Sequence, residues 1–275
     1  HVWQKLNSMK RTLLLIALFI TTIVGLQAQK DNVAKETDVN LIKAALMGWH
    51  VRIGAGFSIG GTSPLPLPAE IRSINKYRPG VCIQLEGAAQ RKFGRHWGAM
   101  LGLRFENKGM ETDARVKNYH LVAYNTDGSG KIEGAYWGNV KTKVDNSYLT
   151  IPVLATYSFN DRWQVQAGPY FSYRVKGSFT GSAYSKSDED VSYIRQPDPT
   201  GPMTEVTSAD YDFTNDMRRF QWGLQAGGEF KAYKHLSVSL NLTWGLNGIF
   251  PSDYESVTFA LYPIYATLGF NYLFW

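Results

Sequence analysis

Cysteine is nearly missing from this chain. Cys82 is the single one among 275 residues, so no internal disulfide can hold the fold and no cysteine framework exists to bind a metal. Long apolar runs are equally scarce. Beyond Leu13 to Leu26 no stretch could cross a bilayer as a helix, and mean hydropathy is negative, so any crossing further along must be made by strands. Charge of one sign is not concentrated either. The 29 basic and 23 acidic residues are scattered, which argues against a nucleic-acid surface. Chemical motifs are fragmentary. Asn125-Thr126-Asp127-Gly128-Ser129-Gly130 carries part of a calcium loop, but Ala123 stands where the first ligand belongs and no Glu closes the motif, so it reads as a hairpin tip. Gly54-Ala55-Gly56 precedes no helix and is no nucleotide loop. Neither a metal site nor a cofactor is expected.

What the chain does have is alternation. Eight segments place apolar residues on one face and polar or small ones on the other, at the length and period of strands that cross a membrane as a barrel. They are His50 to Ile59, Val81 to Ala89, Trp97 to Asn107, Tyr148 to Phe159, Trp163 to Val175, Phe220 to Phe230, Leu236 to Asn247, and the segment from Ile264 onward. The last shows Ile264, Ala266, Leu268, Phe270, Tyr272 and Phe274 on one face and closes on Trp275. The predicted fold class is therefore all-β: an eight-stranded antiparallel transmembrane barrel of the outer membrane, spanning 48–275. Pro152 and Pro169 fall inside strands, where each costs a ladder hydrogen bond, and are expected to mark bulges.

The connections sort by parity. Residues 60–80, 108–147, 176–219 and 247–263 are long; 90–96, 160–162 and 231–235 are short. Outer-membrane barrels have short periplasmic turns and long external loops, so every long connection falls outside once both termini are periplasmic. Outward aromatics sort the same way. Trp49, Trp97, Tyr157, Phe159, Trp163, Phe230 and Phe274 lie toward the periplasmic ends, and Phe57, Phe105, Tyr173, Trp222 and Trp244 toward the outer ends. These are two girdles at the lipid interfaces.

The front end agrees with export. Residues 1–8 precede Met9 and are set aside. Met9-Lys10-Arg11, the apolar run and Gln27-Ala28-Gln29 form a signal peptide over 9–28, with cleavage expected after Ala28. The run is about 14 residues, short of the roughly 20 that a spanning helix needs. Loss of Lys5, Lys10 and Arg11 leaves 26 basic against 23 acidic residues, a net charge of +3. Residues 29–47 then form a periplasmic segment: a short helix, a tether or a plug.

The segments Tyr148-Leu149-Thr150-Ile151-Pro152-Val153-Leu154, Ala167-Gly168-Pro169-Tyr170, Trp222-Gly223-Leu224-Gln225-Ala226-Gly227-Gly228-Glu229 and Gly245-Leu246-Asn247 resemble the porin-like outer-membrane β-barrel family common in Bacteroidetes, one branch of which is the PorT-like group linked to type IX secretion. The resemblance covers most of 48–275. It implies an eight-stranded barrel and carries over no catalytic or ligand residue.

An eight-stranded barrel is only wide enough for its own side chains. Its inward faces offer Arg52, Arg104 and Arg174 against Glu86, Glu106 and Glu229, and buried charges are tolerable when paired. These six residues are the predicted lumen charge network. His120, with Asp113 and Asp127 in sequence reach, is expected to be a solvated loop residue. Outer-membrane proteases and deacylases use an external His, but no motif of either accompanies it. The expected function is non-enzymatic: an envelope component whose external loops bind an envelope or secretion-system protein or a surface glycan, embedded in outer-membrane lipid. The alternative is a narrow channel for ions or small solutes.

Overall fold

The computed structural model describes residues 48–125, 131–187, 189–252 and 260–274. Twelve strands make up nearly all of this backbone: β1 Trp49–Pro64, β2 Ile71–Pro79, β3 Cys82–Lys92, β4 Trp97–Asn125, β5 Lys131–Ser158, β6 Trp163–Tyr184, β7 Tyr193–Arg195, β8 Met203–Glu205, β9 Ser208–Asp212, β10 Phe220–Lys231, β11 Leu236–Gly245 and β12 Leu261–Leu273, with one 3-10 turn at Thr214–Asp216. All pair antiparallel. Eight form a ring in the order β1, β3, β4, β5, β6, β10, β11, β12, and the pairing returns from β12 to β1. Each of the eight coincides with one predicted segment, although Val81, Phe159, Leu246, Asn247 and Phe274 fall just outside the strands. The expected signal peptide, the 29–47 segment, the tip at 126–130 and Trp275 lie outside the described residues. No helix among the described residues is long and apolar enough to cross a membrane.

Alternation places the side chains. On β1, Ile53, Phe57 and Ile59 are exposed while Arg52 is buried; on β10, Trp222 and Leu224 are exposed while Gln221 and Gln225 are buried. A band of exposed aliphatic and aromatic residues thus encircles the ring and polar side chains fill it, the arrangement required when hydrocarbon lies outside. At the end of the ring with short turns, aromatic rings pack on one another: Trp97 on Tyr157 at 5.0 Å and Trp163 on Phe230 at 4.8 Å.

The long connections depart from expectation. Residues 108–125 and 131–147 are strand, not loop: β4 runs 29 residues and β5 28, nearly three times the roughly 9–11 that a membrane crossing needs. Along β4 as far as Val116 the faces keep their parity but exchange polarity at Lys108–Gly109; beyond Val116 a register shift turns Leu121 and Ala123 inward. Below Lys108, inward Arg104 and Glu106 are polar and outward Leu101 and Phe105 apolar. Above it, inward Met110 and Val116 are apolar and outward Glu111, Asp113 and Arg115 charged. The medium outside the wall has changed from lipid to water, so the interior changes from polar to apolar. Met110, Val116, Val140, Val144, Phe179, Tyr211, Phe213 and Phe250 are among the residues of an apolar core in this extension. Residues 60–80 contribute β2, which pairs β4, and 176–219 contribute β7, β8 and β9, with β9 on β6.

The expected bulges at Pro152 and Pro169 are not there. Register runs unchanged past Pro152↔Tyr170 and Pro169↔Leu224. The shift falls higher on β6, where Ser147↔Lys176 is followed by Tyr148↔Arg174 and Val175 is the extra residue. One inserted residue flips a strand's faces, so the bulge points Phe179 and Ala183 inward after a lower stretch in which even-numbered residues faced the lumen. Chain direction predicts which end faces outward. A cysteine at Ser187, exposed in the extension, should react with an impermeant maleimide on intact cells, and one at Asn160, in a short turn, should not. Cys82, 2% exposed, should stay silent. Labelling at Asn160 with protection at Ser187 would invert the topology.

Candidate functional site

The lumen assembles five of the six predicted charges. Glu86 on β3 sits opposite Arg104 on β4 and receives Arg104 Nε at 2.7 Å. Its other oxygen receives Arg52 Nη2 from β1 at 3.3 Å. Arg52 then crosses the ring to Glu229 on β10, a residue 177 positions away, which Ser237 also contacts. Arg104 makes a second crossing, donating from Nη2 to Gln225 Oε1 at 3.0 Å, and its Nη1 lies 3.8 Å from Glu106. Arg52, Glu86, Arg104, Glu106 and Glu229 are each no more than 9% exposed. The ring leaves room for them by setting glycines on inward positions. A Cβ on Gly54, beside Glu86, would strike the Asn271 amide.

Lys108 is a further inward cation, one residue beyond the segment from Trp97 to Asn107 that alternation predicts. The signal was present: even-numbered residues from Gly98 to Glu106 face inward, and Lys108 continues the series. Its Nζ donates to Glu106 Oε1 at 2.9 Å. It also stands 5.4–5.6 Å from the ring centroids of Tyr148, Tyr170 and Tyr265, within cation–π range. Thr150 completes Glu106 by donating at 2.7 Å. Three cations, Arg52, Arg104 and Lys108, thus meet three carboxylates. Buried ions in such numbers persist when each is paired; the pairing here is complete for the charges, although Arg52 Nε finds no hydrogen-bond partner. Gln166 and Gln225 both reach Asn241, extending the cross-links to β11.

Arg174 does not join this network. It lies beside the β6 bulge at the top of the lumen, and its guanidinium donates to the backbone oxygens of Thr214 (3.3 Å) and Met217 (2.9 Å). There it fastens the 3-10 turn to β6. What sets it apart is height along the strand, which alternation does not report.

In the extension the outward charges pair across strands: Arg78 with Glu111 (3.4 Å), Lys141 with Glu111 (3.3 Å), Arg115 with Asp190. Tyr184 donates to Asp113 at 2.6 Å. Burial, and next the acceptor carboxylate, push the Tyr184 hydroxyl up to about 12, so the contact stays a hydrogen bond between a neutral phenol and an anion. His120 lies 3.8 Å from Glu133 on the neighbouring strand, whereas Asp113 is engaged by Tyr184 and Asn75. The hairpin tip, including Asp127, is outside the described residues. Among the described residues no group of three or more His, Cys, Asp or Glu side chains is arranged to hold a metal.

A family model described as the outer membrane protein beta-barrel domain matches residues 27–251. Solved structures with similarity include Ail, the attachment invasion locus protein of Yersinia pestis, in complex with the heparin analogue sucrose octasulfate, at 10% identity over 83% of this chain and 100% of that one, with a TM-score of 0.37. Neisserial surface protein A matches at 11% identity over 82% and 96%, with a TM-score of 0.24. The outer membrane protease OmpT from Escherichia coli matches at 10% identity over 82% and 96%, with a TM-score of 0.30. No curated protein sequence matches the chain.

Proposed function

Because the chain belongs to the outer membrane protein β-barrel domain family, we propose that it is a sealed, non-enzymatic barrel whose role is to hold a folded β platform outside the membrane for a partner of the envelope, exported by cleavage after Ala28. The observation that carries this reading is the exchange of polarity along β4 and β5. The same two strands bound a lumen filled by ion pairs and, above it, an apolar core of the kind that soluble domains have. Investment of 20 or so residues per strand beyond the membrane serves a surface, since a pore needs none of it. The surface carries interleaved Lys, Arg, Asp and Glu, which suits recognition of a polar partner such as an envelope or secretion-system protein. The motifs at 148–154 and 222–229 support a place in the porin-like Bacteroidetes branch, where partners in a secretion or uptake assembly are the natural candidates. Against an enzyme stands His120, directed to Glu133 and not to the engaged Asp113.

The channel alternative makes the opposite prediction for conductance. Purified protein in planar bilayers should show no steady ohmic current, because Arg52 to Glu229 and Arg104 to Gln225 span the ring. Large, reproducible conductance from the wild type would overturn the sealed reading and favour the channel.

A further inference from the structure

The extension contains a cavity of about 430 Å³, within the usual range of small-ligand sites. It sits where one wall of the ring changes hands. β1 pairs β3 only as far as Ser58↔Cys82, then continues with β12 to Pro64↔Leu261. Above Cys82 it is β2 that lies beside β4, from Pro79↔Met110 to Ile71↔Val116. Among the described residues no strand register joins upper β1 to β2; Tyr77 bridges them by donating its hydroxyl to Gly60 O. The result is a seam in the wall, with the cavity behind it.

The lining decides the chemistry. Met110, Val116, Val140, Phe179 and Leu261 form the inner wall. The hydroxyls that reach the cavity from Tyr77 and Tyr211 are already engaged, Tyr77 with Gly60 O and Tyr211 with Thr142 Oγ1 at 2.7 Å and Lys141 O at 3.2 Å. A ligand inside would find apolar surface and few open hydrogen-bonding groups, so its buried part must be hydrocarbon. A cavity of this size is commensurate with one hydrocarbon chain or a comparably small apolar ligand.

The mouth of the cavity is apolar too. Leu67 and Ile74 are each 58% exposed and line the cavity. On β1, Phe57 and Ile59 belong to the lipid-facing band, and the next residues, Gly60 and Gly61, line the cavity, so its mouth opens beside hydrocarbon-facing surface. Arg72 and Lys76 stand exposed on β2, beside Arg78, which pairs with Glu111; an anionic headgroup left in water would meet these cations. We infer that this cavity binds a single acyl chain of an anionic amphiphile, admitted through the seam between β1 and β2. Side entry rests on the outer-membrane placement; the site does not depend on a sealed lumen.

A fatty acid and a chain of an outer-leaflet lipid share this chemistry. The test uses the purified protein in lipid nanodiscs with a fatty acid carrying a diazirine in its chain. Photolabelling should be saturable at one chain per protein, competed by unlabelled fatty acid, and located in peptides spanning 71–77 and 110–116. Ala114→Phe and Val140→Phe, which fill the cavity, should each weaken binding at least tenfold while the unboiled protein keeps its fast gel migration. Mass spectrometry of lipid retained from the outer membrane separates the sources: a free fatty acid, or an intact lipid whose chain competes with the probe. Labelling confined to the lipid-facing band of β11, labelling that no competitor reduces, or undiminished binding by both folded filling variants would overturn the assignment. Should either variant fail to fold, the position of the label on wild type decides alone.

Discussion

Arg104→Ala is expected to lower the unfolding midpoint in lipid vesicles by the equivalent of about 3–5 kcal/mol, the usual cost of removing one partner from a buried ionic network. Arg104 is 2% exposed and touches Glu86, Glu106 and Gln225 on two walls. Its loss leaves Glu86 with Arg52 alone and Glu106 with Lys108, so three cations facing three carboxylates become two facing three. Adding Glu86→Gln should restore part of the loss, because it removes the surplus negative charge. The double-mutant cycle then reads the coupling directly. An unchanged midpoint for Arg104→Ala, or strict additivity with Glu86→Gln, would mean that the lumen charges are solvated individually and that water penetrates the ring.

Phe179→Ala should act on the other half of the molecule. Phe179 is 5% exposed and packs edge-on against Phe250 at 5.0 Å and in a stacked arrangement with Phe213 at 6.1 Å. Truncating a buried Phe typically costs about 3–5 kcal/mol, here taken from the apolar core of the extension and not from the membrane ring. On intact cells the variant should become open to external protease within 108–147 and 176–219. Unboiled protein should still migrate fast on gels, because the ring remains. Simultaneous loss of both properties would show that extension and ring fold as one cooperative unit. Retention of protease resistance would show that the core does not hold the extension together.

The membrane part was legible in the sequence because two media act on one wall. Lipid on one side and packed polar groups on the other impose a period of two, and they did so on all eight segments, from His50 to Ile59 through to the last strand. The same period marks the inward residues, so Arg52, Glu86, Arg104, Glu106 and Glu229 could be identified without a structure, and Lys108 by extending the series one step. The extension was hidden for the same reason. Above Lys108 outer lipid gives way to water, Met110 and Val116 turn inward as apolar residues, and apolar-out alternation no longer marks the strand.

Periodicity reports the medium on each face; it does not report height, register or partner. That Arg52 reaches Glu229 177 residues away, that Arg174 serves the 3-10 turn and not the lumen, and that one extra residue at Val175 turns Phe179 inward all follow from how the ring is paired. The seam between β1 and β2 arises in the same way, from β3 ending its pairing with β1 at Ser58↔Cys82 while β2 takes up β4. Local alternation determined which face of each strand meets lipid. Pairing between strands far apart in sequence, fixed only when the ring forms, determined which side chains meet each other.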